Sequence, residues 1–408
     1  MAPKTKKADL VATETDEQRQ ARINANLTKF NFKPTSELIA EYVNKPVYFI
    51  EPLSLALAFN HEDPVTGLPG LPLGCIVEVA GGPGNLKSAI AEHFAKQILD
   101  ADPWNQVACL FFEPCNMLRL KKVLGEDRMT RMHRLERDSA TDLITAEEGL
   151  NTLLNFAAST PEIKLCIIDS LGAMATSREL YDKDGNFKQL DVRAQLAHRA
   201  SVLTEFINQW NAMNPNTRPI LLCLNHMKDA VDTGDATVAQ LKVDKIGATI
   251  HYESPGGKGF KFACDLRVKA MAKKPDPTTE AEKEKHTLFG NRRMEFLEGH
   301  FEVYKNKFCP DFGALTAQGN FNLKEGCFDI EDEVISYADF LGYEEIRKAG
   351  AYIYVKGSSK ALRYSEAIQF LKDNPELKWD IIRKLTKDRS RLFGTNKKAT
   401  KVDANESL

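Results

Sequence analysis

The apolar run Cys75-Ile76-Val77-Glu78-Val79-Ala80 ends in Gly81-Gly82-Pro83-Gly84-Asn85-Leu86-Lys87-Ser88, and a helical pattern follows at once from Ala89 to Leu99. A strand that passes through a glycine-rich loop into a helix leaves the first N–H groups of that helix unpaired. With the positive end of the helix dipole, those donors form a cradle for an anion. Gly81 through Ser88 are therefore candidates to hold nucleotide phosphates. Lys87 would reach the β- and γ-phosphates of ATP and Ser88 would ligate Mg²⁺. One position departs from the usual G-x-x-x-x-G-K-[ST] pattern: Leu86 stands where a second glycine is expected, and its β-carbon narrows the room beside the phosphate. The plainer alternative is a glycine-rich turn joining a strand to a helix.

A chain of 408 residues has room for two or three domains. Its formal charge of −2 gives no bulk attraction to nucleic acid, so any basic footprint must be local. No stretch is apolar for long enough to span a membrane, and the first twenty residues lack the apolar centre of a signal peptide. Lys4, Lys6 and Lys7 read as part of a solvated tail. The eight cysteines show no C-x-x-C spacing. Cys75, Cys166, Cys223 and Cys264 lie in apolar runs and read as small buried hydrophobes of a reducing, cytoplasmic compartment.

Residues 1–45 are polar and helix-prone, with Ile23, Leu27 and Phe30 as a thin apolar face. Such an arm is expected to pack on a neighbouring domain or subunit. Apolar runs at Gln106–Phe112, Lys164–Ser170, Pro219–Asn225 and Phe262–Lys269 alternate with helical patterns such as Ser201–Trp210. Continuous apolar strands spaced by helices predict an α/β core, residues 46–330, on a mostly parallel twisted sheet. Lys273–His286 reads as an exposed insertion and Phe301–Phe308 as a further strand. Residues 331–395 predict a small α+β domain with a strand at Ala351–Val355, and residues 396–408 a disordered tail.

Three further segments carry chemistry. Leu165–Asp169 is an apolar strand ending in an acid, suited to the Mg²⁺ shell beside a phosphate loop; a helix-capping Asp is the alternative. Pro219–Leu224 ends in Asn225-His226, and ligands of open parallel sheets sit at the carboxyl ends of the strands. Both residues are thus expected to face the γ-phosphate, against the alternative of a hydrogen-bonded loop histidine. Met227–Lys261 is long and aperiodic and carries Lys228, Lys242, Lys245, Lys258 and Lys261 among His251, Tyr252 and Phe260. Cations interleaved with rings suit single-stranded nucleic acid; an ordinary solvated loop is the alternative.

Together these residues resemble the RecA-type recombinases over about residues 52–380. Gly70 to Val79 is similar to that family's approach to its phosphate loop, and Asp169-Ser170-Leu171 to its Mg²⁺-side Asp-Ser. Asn225-His226 sits where the family has Asn followed by a γ-phosphate-sensing Gln. Lys245-Ile246-Gly247, Gly256-Gly257 and Lys261-Phe262 resemble its second DNA-binding loop, which here also holds Lys258 and carries extra residues near Asp229–Val243. Lys305-Asn306-Lys307 resembles the lysine pair that reaches a neighbour's ATP. Lys348 to Gly357 and Leu371 to Pro375 resemble its C-terminal domain.

The resemblance places a first DNA loop near Arg178–Gln189 and aligns Arg199 with a DNA-contacting arginine. Arg178, Lys183, Lys188 and Arg193 are candidates there by location. The family's catalytic Glu lies two residues past an Asp. Aligned from Cys109–Phe112, Glu113 falls on the Asp and Cys115 on the Glu; counted back from Leu124-Gly125, Glu113 falls on the Glu. A thiol cannot replace a carboxylate base, so Glu113 is the expected catalytic group. Leu120 stands near the place of the adenine-stacking Tyr. The bulky Leu86 and the His after Asn225 are similar to the phage-encoded branch of the family typified by UvsX.

The resemblance implies an ATP- and Mg²⁺-dependent strand-exchange activity. It implies a helical filament of identical subunits on single-stranded DNA, paired with double-stranded DNA. Single-strand-binding and mediator proteins are the further partners it implies. A DNA-coating filament with little turnover and a hexameric RecA-core motor are the alternatives.

Overall fold

Buried apolar runs set the architecture, because each can only be satisfied between two layers of helix. The computed structural model describes residues 16–29, 44–135, 144–182, 184, 186–187, 196–229, 252–273, 296–308, 315–323 and 325–393. The chain divides into two units, Met1–Lys45 and Pro46–Leu408. The described part of the first is the helix Asp16–Lys29 and the two residues Asn44 and Lys45.

In the second unit, β1 (Val47–Tyr48) pairs with β2 (Leu71–Pro72) as a short ribbon. The strands β3 (Ile76–Gly81), β4 (Gln106–Phe111), β5 (Met132–Arg134), β6 (Ile163–Asp169) and β7 (Ile220–His226) follow. A second ribbon joins β8 (Lys228–Asp229) to β9 (Tyr252–Glu253). Then come β10 (Leu266–Lys273), β11 (Phe296–Asn306), β12 (Leu315–Asn322) and β13 (Cys327–Phe328). A last ribbon pairs β14 (Ile346–Ala349) with β15 (Tyr352–Val355). Nine strands form one sheet in the order β13-β12-β11-β10-β3-β7-β6-β4-β5. From β5 to β10 every pairing is parallel; β11, β12 and β13 extend the sheet antiparallel.

Side chains of the parallel strands alternate between two apolar clusters, as the strand period requires. Val77, Val79, Leu165, Ile167, Leu222 and Leu224 face one, while Ile76, Cys166, Ile168, Leu221 and Cys223 face the other. The helix Lys87–Ala101 covers the first face; the helices Ala146–Ser159 and Leu196–Ala212 cover the second. The small C-terminal unit, with helices Ile330–Leu341, Tyr364–Asp373 and Pro375–Lys387 around the β14-β15 ribbon, sends Val334, Leu371, Ile382 and Leu385 into the first cluster. Among the described residues no helix is long and apolar enough to cross a membrane.

One element differs from the sequence reading. Phe262 and its neighbours do not begin a strand: Gly257–Ala263 is a helix, and β10 starts at Leu266. Phe260 and Cys264, four apart, are both fully buried, the spacing of one helical face. Phe262 lies on the opposite face and is 75% exposed. An apolar run therefore concealed a helix end with an outward ring. The expected DNA residues Lys245, Ile246 and Gly247 lie outside the described residues, as do Lys183, Lys188, Arg193, Lys242 and the 396–408 tail.

Candidate nucleotide site

The register of the sheet gathers the site. Gly81 lies beside His226, and Phe111 beside Asp169, so the carboxyl ends of β3, β4, β6 and β7 meet on one edge. Gly84 has φ +75° and no atom within 4 Å of where a β-carbon would stand, so the loop turns left-handed there and stays open. Leu86 is also left-handed, at φ 60°, which costs a non-glycine residue about 1–2 kcal/mol. Its side chain packs on the first apolar cluster, with Cδ1 3.1 Å from the β-carbon position of Gly299 on β11. Gly299 is thus the gap into which Leu86 fits. The same position lies 2.7 Å from Cζ of the buried Phe301. Gly299→Ala is expected to destabilise the fold by about 1–3 kcal/mol through overpacking. A thermal melt superimposable on the wild type would contradict this account of the loop.

Lys87 Nζ donates to the carbonyls of Gly81 (3.0 Å) and Gly82 (2.8 Å). Burial lowers its pKa, opposed by the charges of Asp169 and Glu113. Ser88 Oγ donates to Asp169 Oδ2 at 3.3 Å. Burial, with the negative charge of Glu113, pushes the Asp169 carboxyl above its ordinary range. A hydroxyl and a carboxylate side by side are hard oxygen donors, the set that fits Mg²⁺. Gly82, Pro83 and Asn85 complete the loop, and Asn85 Oδ1 accepts from the N–H of Ala272, tying it to β10.

Glu113 lies against the same edge. The N–H groups of Phe112 and Glu113 donate to the Asp169 carbonyl at 2.7 and 3.3 Å. Its Oε1 accepts from Ser170 Oγ and from His226 Nε2, the latter at 2.5 Å. Burial pushes this carboxyl up, but the two hydrogen bonds and the charges of His226 and Lys87 outweigh it, so it sits below its ordinary range. Cys115 lies apart. With Ser88, Glu92, Asn116, Arg119 and Asp169 it lines a cavity of 160 Å³, and burial raises its thiol, keeping it protonated. Leu120 is buried in the core and lines the same cavity.

Asn225 and His226 point to opposite faces of β7, so only His226 reaches the phosphate side; the expectation that both would is corrected by strand alternation. Asn225 is fully buried, and its Nδ2 donates to Glu78 Oε1 (2.8 Å) and to the Pro255 carbonyl (2.7 Å). Glu78, itself fully buried, is paired with Arg267 at 2.6 Å. Asn225 thereby anchors the far end of the 227–255 segment. Neither Ser170 as a partner of Glu113 nor Glu78 was singled out from sequence, although each adjoins a residue that was.

Lys305 and Lys307 do not approach their own phosphate loop. Lys305 pairs with Arg267, which is level with Glu78, three residues short of Gly81. That is roughly 10 Å along the strands and about 10 Å across them. Lys305 Nζ donates to the carbonyls of Lys261 and Phe262, both at 2.8 Å. Lys307 Nζ donates to the Ala263 carbonyl and to Asp265 Oδ1, both at 3.0 Å. They cap the carboxyl end of the helix Gly257–Ala263. Gly256 and Gly257 open that helix, Lys258 is exposed on it, and Lys261 is half-buried. Arg199 is bound to Glu179.

Protein RecA of Streptomyces avermitilis is 26% identical over 352 residues, covering 85% of this chain and 78% of the relative. Protein RecA of a Nocardioides species is 23% identical over 366 residues, 88% of each. That of Streptococcus uberis is 24% identical over 387 residues, 92% of this chain and 88% of the relative. No family model matches the chain. Relatives aligned over so much of their length support a RecA-type recombinase.

Proposed function

We propose that the chain is an ATP-dependent DNA strand-exchange recombinase that assembles as a helical filament on single-stranded DNA and pairs it with a homologous duplex. The observation that carries this reading is Glu113, an ionised carboxylate held by Ser170 and His226 beside Lys87, with His226 on the strand that leads directly into the 227–261 segment. Lys87 holds the β- and γ-phosphates, while Ser88 and Asp169 supply the metal's oxygen ligands. A Mg²⁺ held by Ser88 and Asp169 would supply positive charge to offset the negative charge of the phosphates. Glu113 orients the attacking water. Lys305 and Lys307 of the adjacent subunit neutralise charge developing on the γ-phosphate.

His226 passes the state of the γ-phosphate to the segment that holds Lys245, Ile246, Gly247, Gly256, Gly257, Lys258 and Lys261, and Asn225 anchors its return. Arg199 adds a phosphate contact from the first DNA loop. Leu86 and His226 favour a phage-encoded member, for which single-strand-binding and mediator proteins are fitting partners.

The test is ATP hydrolysis with and without single-stranded DNA, with Lys87→Ala as control. Strong stimulation by DNA, lost in the variant, is the expected result. ATP binding with negligible turnover in both conditions would replace this reading with a DNA-coating filament gated by nucleotide.

A further inference from the structure

Arg199 stands one turn into the helix Leu196–Ala212, and its guanidinium is already engaged. Its Nε donates to both oxygens of Glu179, at 2.6 and 2.9 Å, and Nη1 donates to the Gly172 carbonyl at 3.4 Å. Only 5% of the Glu179 side chain is exposed. The same carboxylate accepts from the N–H and Oγ1 of Thr176, at 2.7 and 3.1 Å, closing the first turn of the helix Ser177–Leu180.

Gly172 has a second neighbour. A β-carbon there would stand 3.0 Å from Cδ2 of His226. The backbone from Asp169 to Gly172 therefore touches the metal-side acid, the Ser170 partner of Glu113, His226 and Arg199 within four residues. His226 thus packs over Gly172, which has no side chain to hold it off, and the Gly172 carbonyl helps to hold Arg199.

Resting on the recombinase reading, we propose that Glu179 is a built-in competitor for DNA phosphate: its carboxylate withholds Arg199 from DNA until nucleotide at the His226–Gly172 contact releases it. A carboxylate and a phosphate present the same paired oxygens to a guanidinium, so one replaces the other without a new geometry. Glu179 is a positioning residue, acting on DNA through Arg199. Glutamine at 179 keeps an oxygen for Thr176 and so keeps the cap, but it removes the charge that holds Arg199.

The experiment is binding of a labelled oligothymidylate across a salt series, with no nucleotide and with a non-hydrolysable ATP analogue. Without nucleotide, Glu179→Gln is expected to bind about fivefold more tightly than wild type. Its log K against log salt should steepen by about 0.7, the contribution of one more neutralised phosphate. The gain should vanish when Arg199→Ala is added. Arg199→Ala alone should weaken binding with the analogue several-fold more than it weakens nucleotide-free binding, because without nucleotide Arg199 is withheld; this arm carries the test if Glu179→Gln fails to fold. Unchanged nucleotide-free affinity in Glu179→Gln, a gain that persists without Arg199, or an equal loss in both states for Arg199→Ala would each overturn the proposal. A wild-type chain that binds no oligonucleotide even with the analogue would remove the recombinase reading itself, and this competition with it.

Discussion

Replacing Glu113 by Gln is expected to lower DNA-stimulated ATP turnover by about 10²–10³-fold while leaving nucleotide affinity within a few-fold of wild type. The substitution conserves volume and an acceptor oxygen for Ser170 and His226, so the cluster survives. What it removes is the negative charge that aligns and polarises a water. Its hydrogen bonds and neighbouring cations hold Glu113 below the ordinary carboxylate range, so the role proposed for it is to orient water rather than to take its proton. Cys115 cannot compensate, since its thiol is protonated and faces the cavity beside Arg119. The check is steady-state turnover beside equilibrium binding of a fluorescent nucleotide. Wild-type turnover in the variant would mean that Glu113 is a strand-end acid and that catalysis lies elsewhere.

What sequence disclosed about this site, and what it withheld, follows from the range of the interactions. The β3 strand, phosphate loop and following helix are local: continuous apolar residues, glycines and a helical period lie within 25 residues of one another. Asp169 and Asn225-His226 were legible because buried parallel strands read as unbroken apolar runs, and their carboxyl ends share one edge. The contacts of Glu113 were not. Ser170 is 57 residues away and His226 113, and only the register β4-β6-β7-β3 brings them together. That register also sets the Glu113 N–H against the Asp169 carbonyl, a position that the count of residues along the chain left open.

The opposite faces of Asn225 and His226 follow from strand alternation, and the sequence reading passed over that rule. The helix at Gly257–Ala263 was hidden because Phe262 is exposed, against the usual burial of large apolar side chains. Leu86 reads as an obstacle to phosphate until Gly299, more than 200 residues later, is seen to make room for its side chain.

A one-to-one mixture of Lys87→Ala subunits with Lys305→Ala/Lys307→Ala subunits is expected to recover about a quarter of wild-type DNA-dependent ATPase, where each variant alone shows almost none. The reasoning starts from position. Lys305 and Lys307 lie too far from their own Gly81 for a lysine side chain to span the gap, so the ATP contact proposed for them would have to be made in another copy. A head-to-tail filament makes every ATP site composite, with the phosphate loop from one subunit and the lysine pair from the next. In a random mixture a site works only where the loop comes from the lysine-pair variant and the lysines from the Lys87 variant, one junction in four. Recovery would also show that the lysine-pair variant folds, although Lys305 and Lys307 cap a helix in their own chain, because its phosphate loop must then be the working one. The mixture is assayed at protein concentrations that saturate the DNA, against the sum of the two separate rates. A rate equal to that sum would place the lysine pair in its own subunit's chemistry or outside it altogether, and the composite site would have to be abandoned.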